Sequence, residues 1–148
     1  MERDYIHIIL ADDDEDDRMF FSDAFEELKI NTKVQTCNDG VELMKYLNNE
    51  DSILPHVLFL DLNMPMKNGI ECLDEIKANK RFNDIIIAIY STSSSEEHIE
   101  ETFIKGANIY IKKPSDFNEL KRVLSYVVTL NWQYHTSGLN KDNFLFRM

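Results

Sequence analysis

The sequence has few of the residues that mark several large classes of protein. It contains only two cysteines, Cys37 and Cys72, which are too few for a disulfide framework and match no zinc-binding spacing. No apolar run approaches the roughly 18 residues that a membrane-spanning helix needs, and the first residues are not typical of a signal peptide. We therefore expect a cytoplasmic protein that has no membrane partner.

Basic residues are also scarce, with 16 Lys and Arg against 27 Asp and Glu and a formal net charge of −11. A nucleic-acid surface needs a basic patch or stripe, so we expect no nucleic-acid partner. A cation or a basic protein face is the natural ligand. The 148 residues contain no internal repeat, and no Gly/Ser linker precedes residue 130, so the chain fits one domain.

Strand-like and helix-like patterns alternate five times along the chain. Short apolar runs typical of buried strands fall at residues 5–11, 34–37, 56–60, 85–90 and 107–111. A segment with apolar residues at helical spacing follows each of them. Strict alternation of this kind predicts an α/β fold, in which a parallel sheet carries helices on both faces and the crossovers are right-handed.

Local signals set the predicted ends of these helices. Capping-box spacing occurs at Asp39 and Glu42 and again at Ser94 and Glu97, Gly106 should stop the fourth helix, and Asp116 should cap the fifth. The fourth helix is predicted to turn Ile99, Phe103 and Ile104 inward.

Polar residues stand where the predicted strands end. They are Asp12 and Asp13 after the first strand, Asp61 after the third, Ser91 after the fourth and Lys113 after the fifth. In a doubly wound parallel sheet these positions share one rim. Three carboxylates in one cleft repel one another, so their pKa values rise or a cation lies among them. Magnesium suits a site made of oxygen ligands that is completed by phosphate oxygens.

This set of groups points to phosphoryl transfer. A cation, the Lys113 ammonium and the Ser91 hydroxyl can neutralise the peripheral oxygens of a phosphoryl group, while the Asp61 carboxylate attacks the phosphorus. Taken singly, each residue has a plainer explanation, and residues 14–17 read equally well as an acidic helix start. An EF-hand calcium loop that starts at Asp12 is excluded, because Asp17 and Asp23 stand where that motif requires glycine and glutamate.

The chain resembles the receiver domain of two-component response regulators, of the stand-alone kind, over residues 5–130. The motifs that carry the resemblance are Ala11-Asp12-Asp13, Leu60-Asp61-Leu62-Asn63-Met64-Pro65 with Gly69, Tyr90-Ser91, and Lys112-Lys113-Pro114. The resemblance implies a flavodoxin-like, five-stranded sheet of order 2-1-3-4-5 with five helices. Residues 131–148 are then an extension of the last helix and a tail, with no separate output domain.

The resemblance also implies a role for each site residue. Asp61 is the phosphorylation site, Asp13 and Asp61 bind Mg²⁺ directly with the backbone carbonyl of Asn63, and Asp12 acts mainly through water. Lys113 contacts the phosphoryl group, and the Lys113–Pro114 bond is expected to be cis. Ser91 moves to the phosphoryl oxygen, and Tyr110 rotates inward behind it as the switch residue. Asn63 and Ser93 occupy positions that tune the lifetime of the phosphoryl group.

The expected function is Mg²⁺-dependent phosphorylation that switches a protein-interaction surface or relays the phosphoryl group. The donor would be a histidine kinase or a histidine phosphotransfer protein, and the output a downstream protein target. The chain is expected to hydrolyse its own aspartyl phosphate slowly, and so not to be a turnover enzyme. The apolar residues 144–146 either fold back onto the body or meet a partner, which leaves a homodimer open.

Two competing interpretations have specific weaknesses. A phosphatase of the haloacid dehalogenase type would show Asp-x-Asp at the strand end, and here Asn63 takes the place of the second aspartate. A pseudo-receiver, a binding module that has lost the chemistry, usually lacks one of the site residues, and here all are present.

Overall fold

The computed structural model describes residues 5–133, 145 and 146. Its strands are β1 (Ile6–Ala11), β2 (Thr32–Cys37), β3 (Val57–Leu60), β4 (Ile86–Ser91), β5 (Ile109–Lys112) and β6 (Leu145–Phe146). Its α-helices are α1 (Glu15–Glu27), α2 (Gly40–Asn48), α3 (Gly69–Lys77), α4 (Glu96–Ile104) and α5 (Phe117–Gln133), with a 3-10 turn at Lys80–Phe82. The predicted strand–helix alternation is confirmed over residues 5–133.

All strand pairs are parallel, in the order β2-β1-β3-β4-β5-β6. The predicted order 2-1-3-4-5 is therefore confirmed, and one short strand is added beyond it. In that strand, Leu145 pairs with Tyr110 and Phe146 with Ile111. The sequence left two alternatives for the apolar residues 144–146, folding back onto the domain or contacting a partner. In the structure, Leu145 and Phe146 fold back and pair with β5. Residues 134–144 lie outside the described residues.

The middle of the sheet is apolar on both faces because helices cover both. Every residue of β3 and β4 is buried. One face packs on α1 and α5 through an aromatic and aliphatic core that includes Phe21, Phe59 and Tyr90. The other face packs on α2, α3 and α4 through a mainly aliphatic core that includes Ile89, Ile99 and Tyr110. Continuous apolar strands of this kind are what a parallel sheet between two helix layers requires.

Most of the predicted caps are present. The side chains of Asp39 and Asp116 accept hydrogen bonds from Glu42 N and Glu119 N, and Gly106, at φ 97°, follows α4 in the left-handed conformation that favours glycine. A full capping box, which the sequence analysis had not identified, joins Asn68 and Glu71 at the start of α3.

For α4, the predicted inward positions of Ile99 and Phe103 are confirmed, since Ile99 is buried and Phe103 packs partly buried against the core. The predicted cap and the predicted inward position of Ile104 are wrong. The cap of α4 is Ser95, whose hydroxyl accepts from His98 N, and not Ser94. Ile99 and Thr102, three residues apart, are the buried positions of the helix. Ile104 is five residues from Ile99, and at 3.6 residues per turn it points to another side. It is accordingly 72% exposed and does not face inward.

Two further observations concern membrane spans and cysteines. Within residues 5–133, 145 and 146, no helix has the length and apolar character needed to cross a bilayer. Cys37 and Cys72 are both free and buried. Burial raises the pKa of each thiol to about 12, so neither is a reactive thiolate near neutral pH.

Candidate functional site

Three carboxylates meet at the carboxyl edge of the sheet. Ala11 pairs with Leu60, so the residues that follow them, Asp12 and Asp61, leave neighbouring strands side by side. One oxygen from each of Asp12, Asp13 and Asp61 lies within 4.8 Å of the others. Asp12 and Asp61 are buried, whereas Asp13 is exposed. The carboxylate cluster that the sequence predicted is therefore formed.

Lys113 brings a positive charge into this cluster from the end of β5. Its Nζ lies 2.8 Å from Asp12 Oδ2, 2.8 Å from Asp17 Oδ2 and 3.5 Å from Asp61 Oδ2. Burial lowers the pKa of the ammonium, but the close contacts with the carboxylates of Asp12 and Asp17 and the charge of Asp61 raise it by more, so that the net shift is upward. Lys113 thus stays charged beside Asp61 at every physiological pH.

The two oxygens of Asp12 have different surroundings. Oδ1 accepts a hydrogen bond from Asp14 N at 3.0 Å, whereas Oδ2 is buried without a hydrogen-bond partner. Lys113 Nζ is close to Oδ2, but its direction of approach does not make a hydrogen bond. A buried carboxylate oxygen with unused acceptor capacity, in an all-oxygen cluster, fits a hard divalent cation.

The Asp61 carboxyl is poised between protonation states. Burial raises its pKa to about 6, with a further upward push from Asp12, while Lys113 and the Asn63 N–H pull it down. The Asn63 N–H donates to Asp61 Oδ1 at 3.2 Å. A cation or a further positive charge would favour the ionised carboxylate, which is the nucleophilic form.

A glycine lets the next helix start against this carboxylate. Gly69 N donates to Leu62 O at 3.1 Å, which closes the loop after β3. A Cβ at Gly69 would collide with the backbone carbonyl of Asp61. The close approach of α3 to the strand end therefore requires glycine, and it holds the backbone of Asp61 and Leu62 in place.

Ser91 and Tyr110 are joined through the loop that follows β4. Ser91 is fully buried, and its Oγ accepts from Ser93 N at 3.1 Å. The Tyr110 hydroxyl donates to Ser93 O at 2.9 Å, and its ring is fully buried. Ser93 Oγ is also 2.9 Å from His98 Nδ1 on α4. The two residues of the predicted switch thus contact the same short segment, with Tyr110 in the inward position.

The prediction of a cis bond between Lys113 and Pro114 is wrong. Among the described residues the structure has no cis peptide, so this bond is trans. The trans form of an X-Pro bond is favoured by only about 0.5–1 kcal/mol, so the residue types alone do not decide the isomer.

Sequence reasoning missed three contacts around the site. Asp17 binds Lys113, although it stands in an acidic run that looked like a helix start. Arg18 Nη1 donates to Asp12 O at 2.8 Å and so fixes the loop after β1. His98 contacts Ser93, although nothing in its surroundings in the sequence singled it out.

Comparison with known proteins agrees with this geometry. The sequence profile of the response regulator receiver domain matches residues 8–125. The probable methanogenesis regulatory protein FilR2 of Methanothrix harundinacea (strain 6Ac) is 29% identical over 123 residues, which cover 81% of this chain and 79% of that protein. Response regulator Rcp1 of Synechocystis sp. (strain ATCC 27184 / PCC 6803 / Kazusa) is 27% identical over 121 residues, covering 79% and 82%.

Solved structures give the same result. The phosphorylated cyanobacterial phytochrome response regulator RcpA superimposes with a TM-score of 0.79 at 28% identity, covering 91% of this chain and 98% of that one. The Mn²⁺-bound form of Rcp1 does so with a TM-score of 0.76 at 25% identity, covering 91% and 99%. The fold and the charged strand ends define a phosphoacceptor module of two-component signalling. The chain belongs to the response regulator receiver domain family.

Proposed function

We propose that Asp61 is the phosphoryl acceptor of this chain and that Lys113 and Ser91 neutralise the charge of the transferred group. The observation that carries the proposal is the position of the Asp61 carboxylate. It is buried, 3.5 Å from the Lys113 ammonium, and within 4.8 Å of two further carboxylates. Preorganised charge in a water-poor site is the main source of catalysis in phosphoryl transfer.

The step balances without a protein base. An Asp61 oxygen attacks the phosphorus of a phosphohistidine on the donor, the Asp61 O–P bond forms, and the P–N bond breaks. The imidazole keeps the electron pair and takes a proton from water. With acetyl phosphate as donor, the P–O bond breaks and acetate leaves as the anion. Asp61 enters the reaction ionised, which is why its pKa matters to the rate.

Mg²⁺ is the cation that we propose for the site. The carboxylates of Asp12, Asp13 and Asp61 and the backbone carbonyl of Asn63 would hold it, with Asp12 acting mainly through water. When bound, the ion neutralises phosphoryl oxygens and favours the ionised form of Asp61. The Asp12 Oδ2 atom, buried without a hydrogen bond, supports this assignment.

The output that we propose passes through Ser91 and Tyr110. On phosphorylation Ser91 Oγ turns to a phosphoryl oxygen, which removes the acceptor that Ser93 N now uses. Because Tyr110 holds the carbonyl of the same residue, Ser93, the loop and the ring respond together. The surface that changes is formed by α4, β5 and α5, with β6 along the edge of β5, and its ligand is a downstream protein target.

The cellular role that we propose is that of a switch or relay in the cytoplasm. Residues 1–130 act as the receiver domain. A histidine kinase or a histidine phosphotransfer protein supplies the phosphoryl group. Hydrolysis of the aspartyl phosphate is slow, at a rate that Asn63 and Ser93 tune, so the chain is no turnover enzyme. A homodimer through the tail is compatible with this role.

The deciding experiment measures intact-protein mass after incubation with acetyl phosphate. Wild type, Asp61→Asn and Asp16→Asn are compared with Mg²⁺ and with a chelator. Asp16 is the matched control because it removes the same charge from an exposed position on α1. We expect one phosphoryl group on wild type and on the Asp16 variant, only with Mg²⁺, and none on the Asp61 variant. A wild type that gains no mass would make the chain a pseudo-receiver.

A further inference from the structure

The Lys113 ammonium has one partner that belongs to no part of the phosphoryl or cation chemistry. That partner is Asp17 on the first turn of α1, 96 residues away in sequence. Its Oδ2 accepts a hydrogen bond from Lys113 Nζ at 2.8 Å, whereas the bond to Asp61 is longer, at 3.5 Å, and the approach to Asp12 Oδ2 makes no hydrogen bond. The Asp17 bond is therefore the best formed of the contacts of this ammonium with the carboxylates.

Asp17 is itself well fixed. Asp14 caps α1, and its Oδ1 accepts from Asp17 N at 3.1 Å, which anchors the backbone of Asp17 at the start of the helix. The side chain of Asp17 is 37% exposed, so solvent reaches one side of the carboxylate while Lys113 occupies the other. Lys113, by contrast, is a point charge at the end of a flexible four-carbon stem.

The partners of Lys113 separate when the site is used. Asp12 and Asp61 belong to the three-carboxylate cluster, and their oxygens turn toward a cation or carry the phosphoryl group. Asp17 is not a member of that cluster, so its hydrogen bond to Lys113 can persist throughout. A lysine ammonium has three N–H donors. One can stay on Asp17 while the others face the phosphoryl oxygens. The Tyr90 ring, whose centroid is 5.4 Å from Nζ, supports the ammonium from below.

We propose that Asp17 is a positioning residue that holds the Lys113 ammonium over Asp61 for phosphoryl transfer. The inference rests on the proposed function of Asp61. It assigns Asp17 no contact with the phosphoryl group or with the cation. Without Asp17 the ammonium would still be present, but it would sample other positions, and small displacements of a charge-stabilising group are costly in rate.

The first test measures the lysine ammonium in the resting protein, without Mg²⁺ or phosphoryl donor. In protein labelled with ¹⁵N-lysine, the Nζ signal of Lys113 is identified by its loss in Lys113→Ala. We expect the Nζ protons to exchange with water at least several-fold faster in Asp17→Asn than in wild type, and to be unchanged in Asp16→Asn. Equal exchange in the two variants would overturn the proposal.

The second test measures phosphorylation by acetyl phosphate at saturating Mg²⁺. We expect Asp17→Asn to lower the maximal rate about tenfold with little change in the half-saturating donor concentration. Asp16→Asn should stay within about twofold, Asp17→Glu should recover most of the rate, and Asp17→Asn should add nothing to Lys113→Ala. A loss of rate that persists in the Lys113→Ala background, or no loss in Asp17→Asn, contradicts positioning.

The two tests separate this inference from the proposed function. A wild type that takes no phosphoryl group would refute the acceptor role of Asp61. The exchange experiment would still decide whether Asp17 holds Lys113. Conversely, normal phosphorylation of wild type with unaltered Lys113 exchange in Asp17→Asn would leave the acceptor role intact and remove Asp17 from it.

Discussion

The two faces of the sheet are built differently. Under α1 and α5, three rings pack edge to face, with centroids of Phe21 and Phe59 at 4.9 Å and of Phe21 and Tyr90 at 5.7 Å. On the opposite face, α4 has two buried residues, Ile99 and Thr102, and Phe103 packs partly buried beside them. Large interlocked rings leave few alternative packings, whereas a short and thinly anchored helix opens at low cost.

The functional residues divide along the same line. Lys113 and its partner Asp17 lie on the aromatic side, with Tyr90 beneath the ammonium. Ser93 and Tyr110 face α4, and both connect to the loop in front of it. The charged groups that must stay in position for phosphoryl transfer, Lys113 and Asp17, thus lie on the tightly packed aromatic face. Ser93 and Tyr110, which must move, lie on the face covered by the less firmly packed α4.

The largest effect should come from opening the aromatic face. Phe21→Ala removes a fully buried ring from the centre of that packing, and we expect a loss of about 3–5 kcal/mol in the free energy of unfolding. Ile104→Ala, at an exposed position on α4, is the control and should change the free energy of unfolding by less than about 0.5 kcal/mol. Urea unfolding followed by circular dichroism measures both. Comparable losses would mean that the Phe21 ring contributes no more to stability than an exposed side chain, which contradicts a tightly packed aromatic face.

Hydrogen exchange should resolve the two faces without any mutation. We expect amides in the middle of α4 to exchange by local opening, on the order of a hundredfold faster, after correction for intrinsic rates, than amides in the middle of α1. Saturating Mg²⁺ with a phosphoryl donor should slow exchange in α4 and leave α1 nearly unchanged. Uniform protection across both helices would argue against a yielding α4.

The site itself should act against stability at neutral pH. Because the pKa of Asp61 is raised to about 6 in the folded state, the folded protein is stabilised by protonation, and this contribution is lost as pH rises through 6. Asp61→Asn should therefore raise the free energy of unfolding by about 1–2 kcal/mol at pH 7. The gain should fade below pH 4, where Asp61 is protonated in both states. A gain independent of pH would assign the effect to packing.

The smallest effect should come from the hydroxyl of Tyr110. Tyr110→Phe removes a buried hydrogen bond to Ser93 O, and we expect a loss of about 0.5–1.5 kcal/mol in the free energy of unfolding. Tyr46→Phe is the matched control. It removes a tyrosine bond to Ile53 O at an exposed position, where water can replace it. A larger loss in the Tyr46 variant would show that Tyr110 is not held by this bond.

Local patterns predicted the strands well because burial on both faces leaves a clear trace. The apolar runs at β3 and β4 have no other explanation in a chain so rich in charge. The carboxylate cluster followed from topology alone, since strand ends share one rim. The position of Ile104 was harder, because it is apolar and adjacent to Phe103, yet successive helical residues lie about 100° apart, so it falls outside the buried face.

Long-range contacts left no local signal. The bond between Asp17 and Lys113 joins residues 96 apart, and an acidic residue at the start of a helix needs no further explanation. The sixth strand is only two residues long, too short for any periodicity to indicate it. Such contacts depend on how two elements pack against each other in the folded protein, and the sequence of either element alone does not indicate this.

The pairing of β6 with β5 also bears on how this protein behaves at high concentration. An open sheet edge presents backbone N–H and C=O groups that can template another chain. Here Leu145 and Phe146 lie along Tyr110 and Ile111, in the middle of the four-residue strand β5. The pairing with Leu145 and Phe146 thus occupies the edge of β5 at Tyr110 and Ile111. Without it, the outer backbone groups of these two residues would be open to pairing with another strand.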